Sequence, residues 1–157
     1  MADEPHIEIR IQSQPRYLCV VRRAVCEAMN KWQLPDHEAH QVMTAVDEAV
    51  TNVMRHGYHG RTDRPIWIRL RPVEDGERRG VAIEIEDETG AVDVSKIRAR
   101  RIDPDQPEPG GLGLHIIRKV MDHVAYTHRP DGRGVLLKMI RYVQPAESAQ
   151  PNMGQHT

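Results

Sequence analysis

Glu48 and Asn52 stand four residues apart in Asp47-Glu48-Ala49-Val50-Thr51-Asn52. At helical spacing this puts a carboxylate and a carboxamide on one face, one turn apart. The carboxylate can take a proton and the amide can offer a neutral oxygen to a hard cation, which suits a magnesium–phosphate site. Thr51 and Arg55 fall on the same stripe, while Val42, Met43, Val46, Ala49, Val50, Val53 and Met54 supply the apolar side. A later segment, Gly110-Gly111-Leu112-Gly113-Leu114, offers backbone amides at the start of another helix, where anions bind. Together the two segments predict a nucleotide site.

The elements that must position these groups follow from periodicity. Ile7, Ile9 and Ile11 alternate with polar residues and predict a first strand. Leu18, Val21, Val25, Ala28, Met29 and Trp32 recur at helical spacing, giving an amphipathic helix over residues 15–32. Leu34-Pro35-Asp36 breaks it and starts a second helix, expected to run to Gly57 as a C-cap. Ile66, Ile68 and Leu70 mark one strand; after the Glu74-Asp75-Gly76 turn, Val81, Ile83 and Ile85 mark another. From Asp93 to Pro109 the periodicity fails, and a polar, proline-rich loop is expected, long enough to serve as a lid. Leu112 to Met121 is helical again, and two last strands, Val124–Thr127 and Val135–Tyr142, flank the Asp131-Gly132 turn. The order β-α-α-β-β-loop-α-β-β predicts an α+β fold, a two-layer sandwich with helices on one face of a mixed, mainly antiparallel sheet. The domain is expected over residues 1–143, followed by a polar, unordered tail over 144–157.

Asp87 continues the row Val81, Ile83, Ile85 at period two and so points inward with them. A carboxylate closing an apolar row needs a partner. A turn cap or an arginine would serve, and so would a buried donor such as an adenine amino group. Gly90, three residues on, would let a flat ring approach the backbone. The glycine segment is not a P-loop, because no Lys-Ser/Thr pair follows it, and Ile116 occupies the place of the third glycine of a dinucleotide fingerprint.

Composition narrows the class. A net charge of −1 provides no general attraction for nucleic acid or an anionic membrane. Cys19 and Cys26, seven residues apart in a helix, lie about 10 Å apart along its axis, too far for a disulfide between them. Reduced thiols, an acidic N-terminus without an apolar run, and no span of ~20 apolar residues lead us to expect a soluble cytoplasmic protein. His56 and His59 lack a zinc-spaced partner set, and His37 lies too close to Glu48 to leave room for a phospho-acceptor hairpin.

The set Glu48-x-x-x-Asn52-x-x-x-His56-Gly57-Tyr58, Asp87-x-x-Gly90 and Gly111-Leu112-Gly113-Leu114 resembles the histidine-kinase-like ATPase superfamily with its Bergerat ATP-binding fold. Within it, the chain is similar to the bacterial anti-sigma-factor serine/threonine-protein kinases of the sporulation and general-stress type, over residues 6–142. The resemblance implies ATP and Mg2+ as cofactors, with Asn52 as the metal ligand and Glu48 as general base toward a protein hydroxyl. It implies that Asp87 reads adenine and that Gly111, Leu112, Gly113 and Leu114 line the phosphates under the lid. The implied substrate is an anti-anti-sigma protein of the STAS-domain type, with a sigma factor as further partner and a homodimer as assembly. Such chemistry rests on alignment and charge neutralisation.

Three departures stand out. Thr89 occupies the glycine position of the family's Asp-x-Gly, and a β-branched residue there is expected to narrow the pocket or strain the turn. Val135 follows Gly134 where many relatives have threonine, and Pro109 stands where some have arginine. Arg98, Arg100 or Arg101 could reach the phosphates instead. The alternative is a non-catalytic nucleotide-binding regulator that sequesters a sigma factor or STAS partner. Thr89 and Val135 favour it; Glu48 speaks against it, since a pure binder needs no base.

Overall fold

The computed structural model describes residues 6–90, 93–99 and 111–144. Strand β1 (Ile7–Gln12) leads through a short turn at Pro15–Tyr17 into helix α1 (Leu18–Lys31), which buries Val21, Val25, Ala28 and Met29. Pro15 suits that entry because its ring presets φ and the first turn needs no amide donor. Helix α2 (Asp36–Asn52) begins just after Pro35, with Asp36 and Glu38 in its positive first turn. Its buried stripe is Val42, Ala45, Val46, Ala49 and Val50, leaving Glu48 and Asn52 on a neighbouring face.

Strands β2 (Pro65–Asp75) and β3 (Arg78–Asp87) form a long hairpin, turned at Gly76 with φ +61°. A short helix α3 (Val94–Ala99), helix α4 (Gly111–Val120) and strands β4 (His123–His128) and β5 (Val135–Tyr142) complete the chain. The sheet order is β1-β2-β3-β5-β4. Every neighbouring pair is antiparallel, so the mixed sheet expected from the sequence resolves into a purely antiparallel one among the described residues.

Ile66, Ile68, Leu70, Val81, Ile83, Ile85, Leu137 and Met139 form one face of the sheet, closed by α1, α2 and Ile117 of α4 in a single apolar core. Each such side chain, fully buried, contributes about 1.5–3 kcal/mol relative to exposure. Register carries this pattern to the site: Ile68 lies opposite Ile85, and Ile66 opposite Asp87, so the carboxylate ends an otherwise apolar row. The outer face is polar. Arg69 bridges Glu8 and Glu86, and Arg129 lies 5.1 Å over Trp67 with its guanidinium against Glu86, Glu88 and Asp131. Two of the Arg129 nitrogens sit at ion-pair distance without hydrogen-bond alignment, so this cluster acts through charge more than through directed bonds.

Two expectations change. α2 does not continue to Gly57 as an α-helix; it widens into a π-turn over Val53–Gly57, closed by the Tyr58 amide donating to the Val53 carbonyl at 2.8 Å. The segment after Asp93 is not loop throughout. Asp93 accepts from the Ser95 amide at 3.0 Å and starts α3, whose Val94 is buried. Residues 100–110, which hold Arg100, Arg101, Pro109 and most of the expected lid, lie outside the described residues, as do the Arg98 side chain and the tail from 145 onward. Gln144 is fastened, its amide donating to buried Glu38 at 3.2 Å.

Candidate functional site

A cleft of about 580 Å³ opens where the C-terminal end of α2, the end of β3, helix α3, the start of α4 and strands β4 and β5 converge. Asn52, Val53, His56 and Gly57 line one wall, Ile85, Asp87 and Thr89 the floor, Asp93, Lys96 and Ile97 the opposite side, and Leu114 the α4 side. Arg118 of α4 donates to the Ile97 carbonyl at 3.1 Å and so holds α3 against α4.

At one end α4 packs on α2. A methyl group built on Gly113 would lie 2.8 Å from Glu48 Oε2 and 3.1 Å from each terminal atom of the Asn52 amide. Only glycine therefore lets the helix start face that pair without displacing it. Leu114 is buried beside it, and Gly111 and Leu112 belong to the first turn of the same helix. The spacing read from the sequence thus brings Glu48, Asn52 and the glycine segment together.

Asp87 occupies the floor, only 5% exposed. Its Oδ1 accepts from the Thr89 amide at 3.0 Å, the Thr89 hydroxyl at 2.7 Å and the Val135 amide at 3.2 Å. Burial pushes its carboxyl above the usual carboxylate range, opposed by those three bonds and by the Arg129 charge. With all three donors on Oδ1, Oδ2 is left to accept from a ligand in the cleft. Gly134 makes the arrangement possible, because a side chain there would run into the Asp87 backbone carbonyl.

Thr89 lines the cleft and also anchors Asp87. Its hydroxyl donates to the same Asp87 oxygen as the Val135 amide, so a hydroxyl that residue 135 lacks is present on Thr89. Its methyl faces Gly57, where a built Cβ would come within 2.5 Å of Thr89 Cγ2. Gly90 does not line the cleft; its φ of +89° turns the chain, and its amide donates to the Arg133 carbonyl at 2.9 Å. The sequence reading passed over two groups. Lys96 lines the cleft with no ion-pair partner among the described residues, and Tyr58, in the motif but unassigned, is buried behind it. His56 and His59 border the cleft, but no cluster of three metal-ligating residues occurs among the described residues.

The donor set fits Mg2+-ATP. A neutral amide oxygen beside a carboxylate faces the start of a helix at one end, and an oxygen held within a buried carboxylate waits at the other. No helix among the described residues is long and apolar enough to cross a membrane.

The chain is 27% identical over 153 residues to a serine-protein kinase RsbW of Oceanobacillus iheyensis, covering 94% of this chain and 92% of that one. It is 26% identical over 145 residues to the serine-protein kinase RsbW of Bacillus subtilis, covering 88% and 86%. Among solved structures, the SiaB–SiaC complex of Pseudomonas aeruginosa contains a chain that matches with a TM-score of 0.65 at 13% identity, covering 88% of this chain and 89% of that one. The RsbU and RsbW domains of a Mycobacterium tuberculosis protein match with a TM-score of 0.58 at 15% identity, covering 89% of this chain and 32% of that longer one. These two likenesses concern the fold. Residues 11–140 match the histidine kinase-like ATPase domain, and the chain belongs to that family.

Proposed function

We propose that the protein is an ATP-dependent serine/threonine-protein kinase that phosphorylates an anti-anti-sigma protein of the STAS-domain type and thereby acts as a partner-switching anti-sigma regulator in the cytoplasm. The observation that carries this reading is the convergence of Glu48 and Asn52 on Gly113, with Asn52 lining the cleft that also holds Asp87. The name serine-protein kinase borne by its relatives supports it.

In this mechanism Asp87 Oδ2 accepts the adenine amino group, while Thr89 and Val135 hold the carboxylate still. Asn52 directs its amide oxygen toward Mg2+, and the first-turn amides of α4 receive phosphate oxygens. The bound Mg2+-ATP supplies the transferable phosphoryl group and the countercharge for its oxygens. Glu48 would accept the proton of the incoming serine or threonine hydroxyl as its oxygen bonds to the terminal phosphorus of ATP and the bond to the leaving ADP breaks. Lys96 is placed to add positive charge at the cleft wall.

A serine phosphate adds about −1.5 to −2 charges to a packed interface, so the modified STAS partner leaves and a sigma factor takes its place. The non-catalytic alternative drew its support from Thr89 and Val135. The Thr89 hydroxyl on Asp87 weakens that support, because the hydroxyl that Val135 lacks is supplied to the same carboxylate by Thr89.

The deciding experiment incubates the protein with labelled ATP, magnesium and the STAS protein encoded nearest to it. Label should reach the STAS protein, and Glu48→Gln should lower the rate by about 10²-fold or more with little change in ATP affinity. Transfer at an unchanged rate in Glu48→Gln refutes the assignment of the base. Binding of ATP without any transfer supports the non-catalytic reading.

A further inference from the structure

We infer that Tyr58 is a positioning residue for the base end of the cleft, acting through the backbone that carries Asp87 and so setting the preference for adenine. The inference rests on the functional reading above. Tyr58 is 4% exposed and touches the ligand space nowhere, yet its hydroxyl is fully engaged. It donates to the Pro65 carbonyl at 2.6 Å and accepts from the Glu88 amide at 2.7 Å. Glu88 directly follows Asp87, and Pro65 opens β2, whose Ile66 lies opposite Asp87 in the sheet. One phenol therefore ties the start of β2 to the residue that follows Asp87, at the point where the strand carrying the carboxylate ends.

The π-turn delivers the phenol to that point. It starts at Val53, next to the metal-facing Asn52, and ends at Gly57, against the Thr89 methyl. The same short segment thus presses on Asp87-Glu88-Thr89 twice, through the phenol at Glu88 and through Gly57 at Thr89. Thr89 in turn donates twice to Asp87 Oδ1. Burial pushes the Tyr58 phenol up to about 12, although the Glu88 amide and the neighbouring charges also act on it, so it stays a neutral donor at physiological pH. A loosely held carboxylate would still attract a cation. Only one fixed in place can favour an exocyclic amino group over a carbonyl at the same site.

Tyr58→Phe tests this by removing one oxygen. Calorimetric titration with Mg2+-ATP and Mg2+-GTP should show the ratio of the two affinities falling by about tenfold in the variant. A tyrosine that served only general stability would lower both affinities alike and leave the ratio unchanged, and that result overturns the inference. Hydrogen exchange on the unaltered protein gives a second measurement independent of whether the variant folds. The Glu88 amide, one residue past the strand, should exchange without nucleotide as slowly as the ladder amides of β3; fast exchange there overturns the inference. If the unaltered protein binds no ATP, the functional reading fails and this inference with it. If it binds ATP but Tyr58→Phe keeps the same ATP-to-GTP ratio, the inference alone fails.

Discussion

Gly113→Ala separates the stability of this fold from its chemistry. The added methyl would lie 2.8 Å from Glu48 Oε2 and 3.1 Å from both terminal atoms of the Asn52 amide, so the conclusion does not depend on which amide atom is oxygen. Comfortable separations for such atoms are about 3.5 Å, so Glu48 must retreat by roughly 0.5 Å or more. Crowding of this kind costs about 1–3 kcal/mol when the neighbour cannot yield. Here it can yield in part, because Glu48 is half-exposed at the end of a flexible side chain. Alanine also gains up to about 1 kcal/mol over glycine in a helix. The net change should stay within about 2 kcal/mol, or several degrees in melting temperature for a chain of this size. Catalysis has no such tolerance, since misplacing a catalytic group by about 1 Å can cost on the order of 10²-fold. Gly113→Ala should therefore melt within several degrees of the parent while phosphoryl transfer falls by about 10²-fold. Thermal melting and a labelled-ATP transfer assay on one preparation measure both. A parent-like transfer rate with parent-like melting would refute the placement of Glu48 and Asn52 against α4.

Three further outcomes follow from the same geometry. Asn52→Ala should weaken Mg2+-ATP binding and abolish its dependence on magnesium while leaving the fold intact, as titrations with and without magnesium will show. Gly57→Ala should push Thr89 off Asp87, because the new Cβ would come within 2.5 Å of Thr89 Cγ2; adding Thr89→Ser, which keeps the hydroxyl and removes the methyl, should restore ATP affinity. Asp87→Asn should lower ATP affinity by at least about tenfold, since its amide can present a donor to the adenine amino group. Burial raises the Asp87 carboxyl in the folded state, so its contribution to stability is full below the unfolded value of about 3.9 and is lost as pH rises through the folded value. At pH 7 Asp87→Asn should then melt no lower than the parent, and any advantage should disappear as pH falls below about 4, as melting across that range will show.

Much of this architecture was legible because it obeys simple periods. Glu48 and Asn52 could be paired from a spacing of four, and Asp87 could be sent inward from the row Val81, Ile83, Ile85, because local geometry alone sets those directions. The π-turn was not legible. Its defining bond, from the Tyr58 amide to the Val53 carbonyl, competes with an α-helical alternative, and the phenol's bonds to Pro65 and Glu88 far along the chain favour the wider turn. The contacts of Thr89 were hidden for a related reason. Residue type told its bulk, but only the approach of β5 at Gly134 and the position of Gly57 decide that its hydroxyl meets Asp87 and its methyl finds room. Helix α3 escaped notice because so short a helix, with Val94 as the one buried apolar position among its described side chains, carries almost no periodic signal. Its capping pair, Asp93 with Ser95, was the clue available.

The π-turn also acts as a ruler. Were Val53–Gly57 wound as an α-helix at its present length, everything after it would be rotated by about 100° around the axis. The phenol would then swing away from Pro65 and Glu88, although every side chain needed for binding was still encoded. Side-chain replacements in this stretch can be graded and compensated, as Gly57 and Thr89 can for each other. A change of winding cannot be compensated in that way, because it would move the Asn52 and Asp87 ends of the cleft out of phase. The segment is therefore constrained in its winding as well as in its letters, and the same residues wound as an α-helix would present a different site.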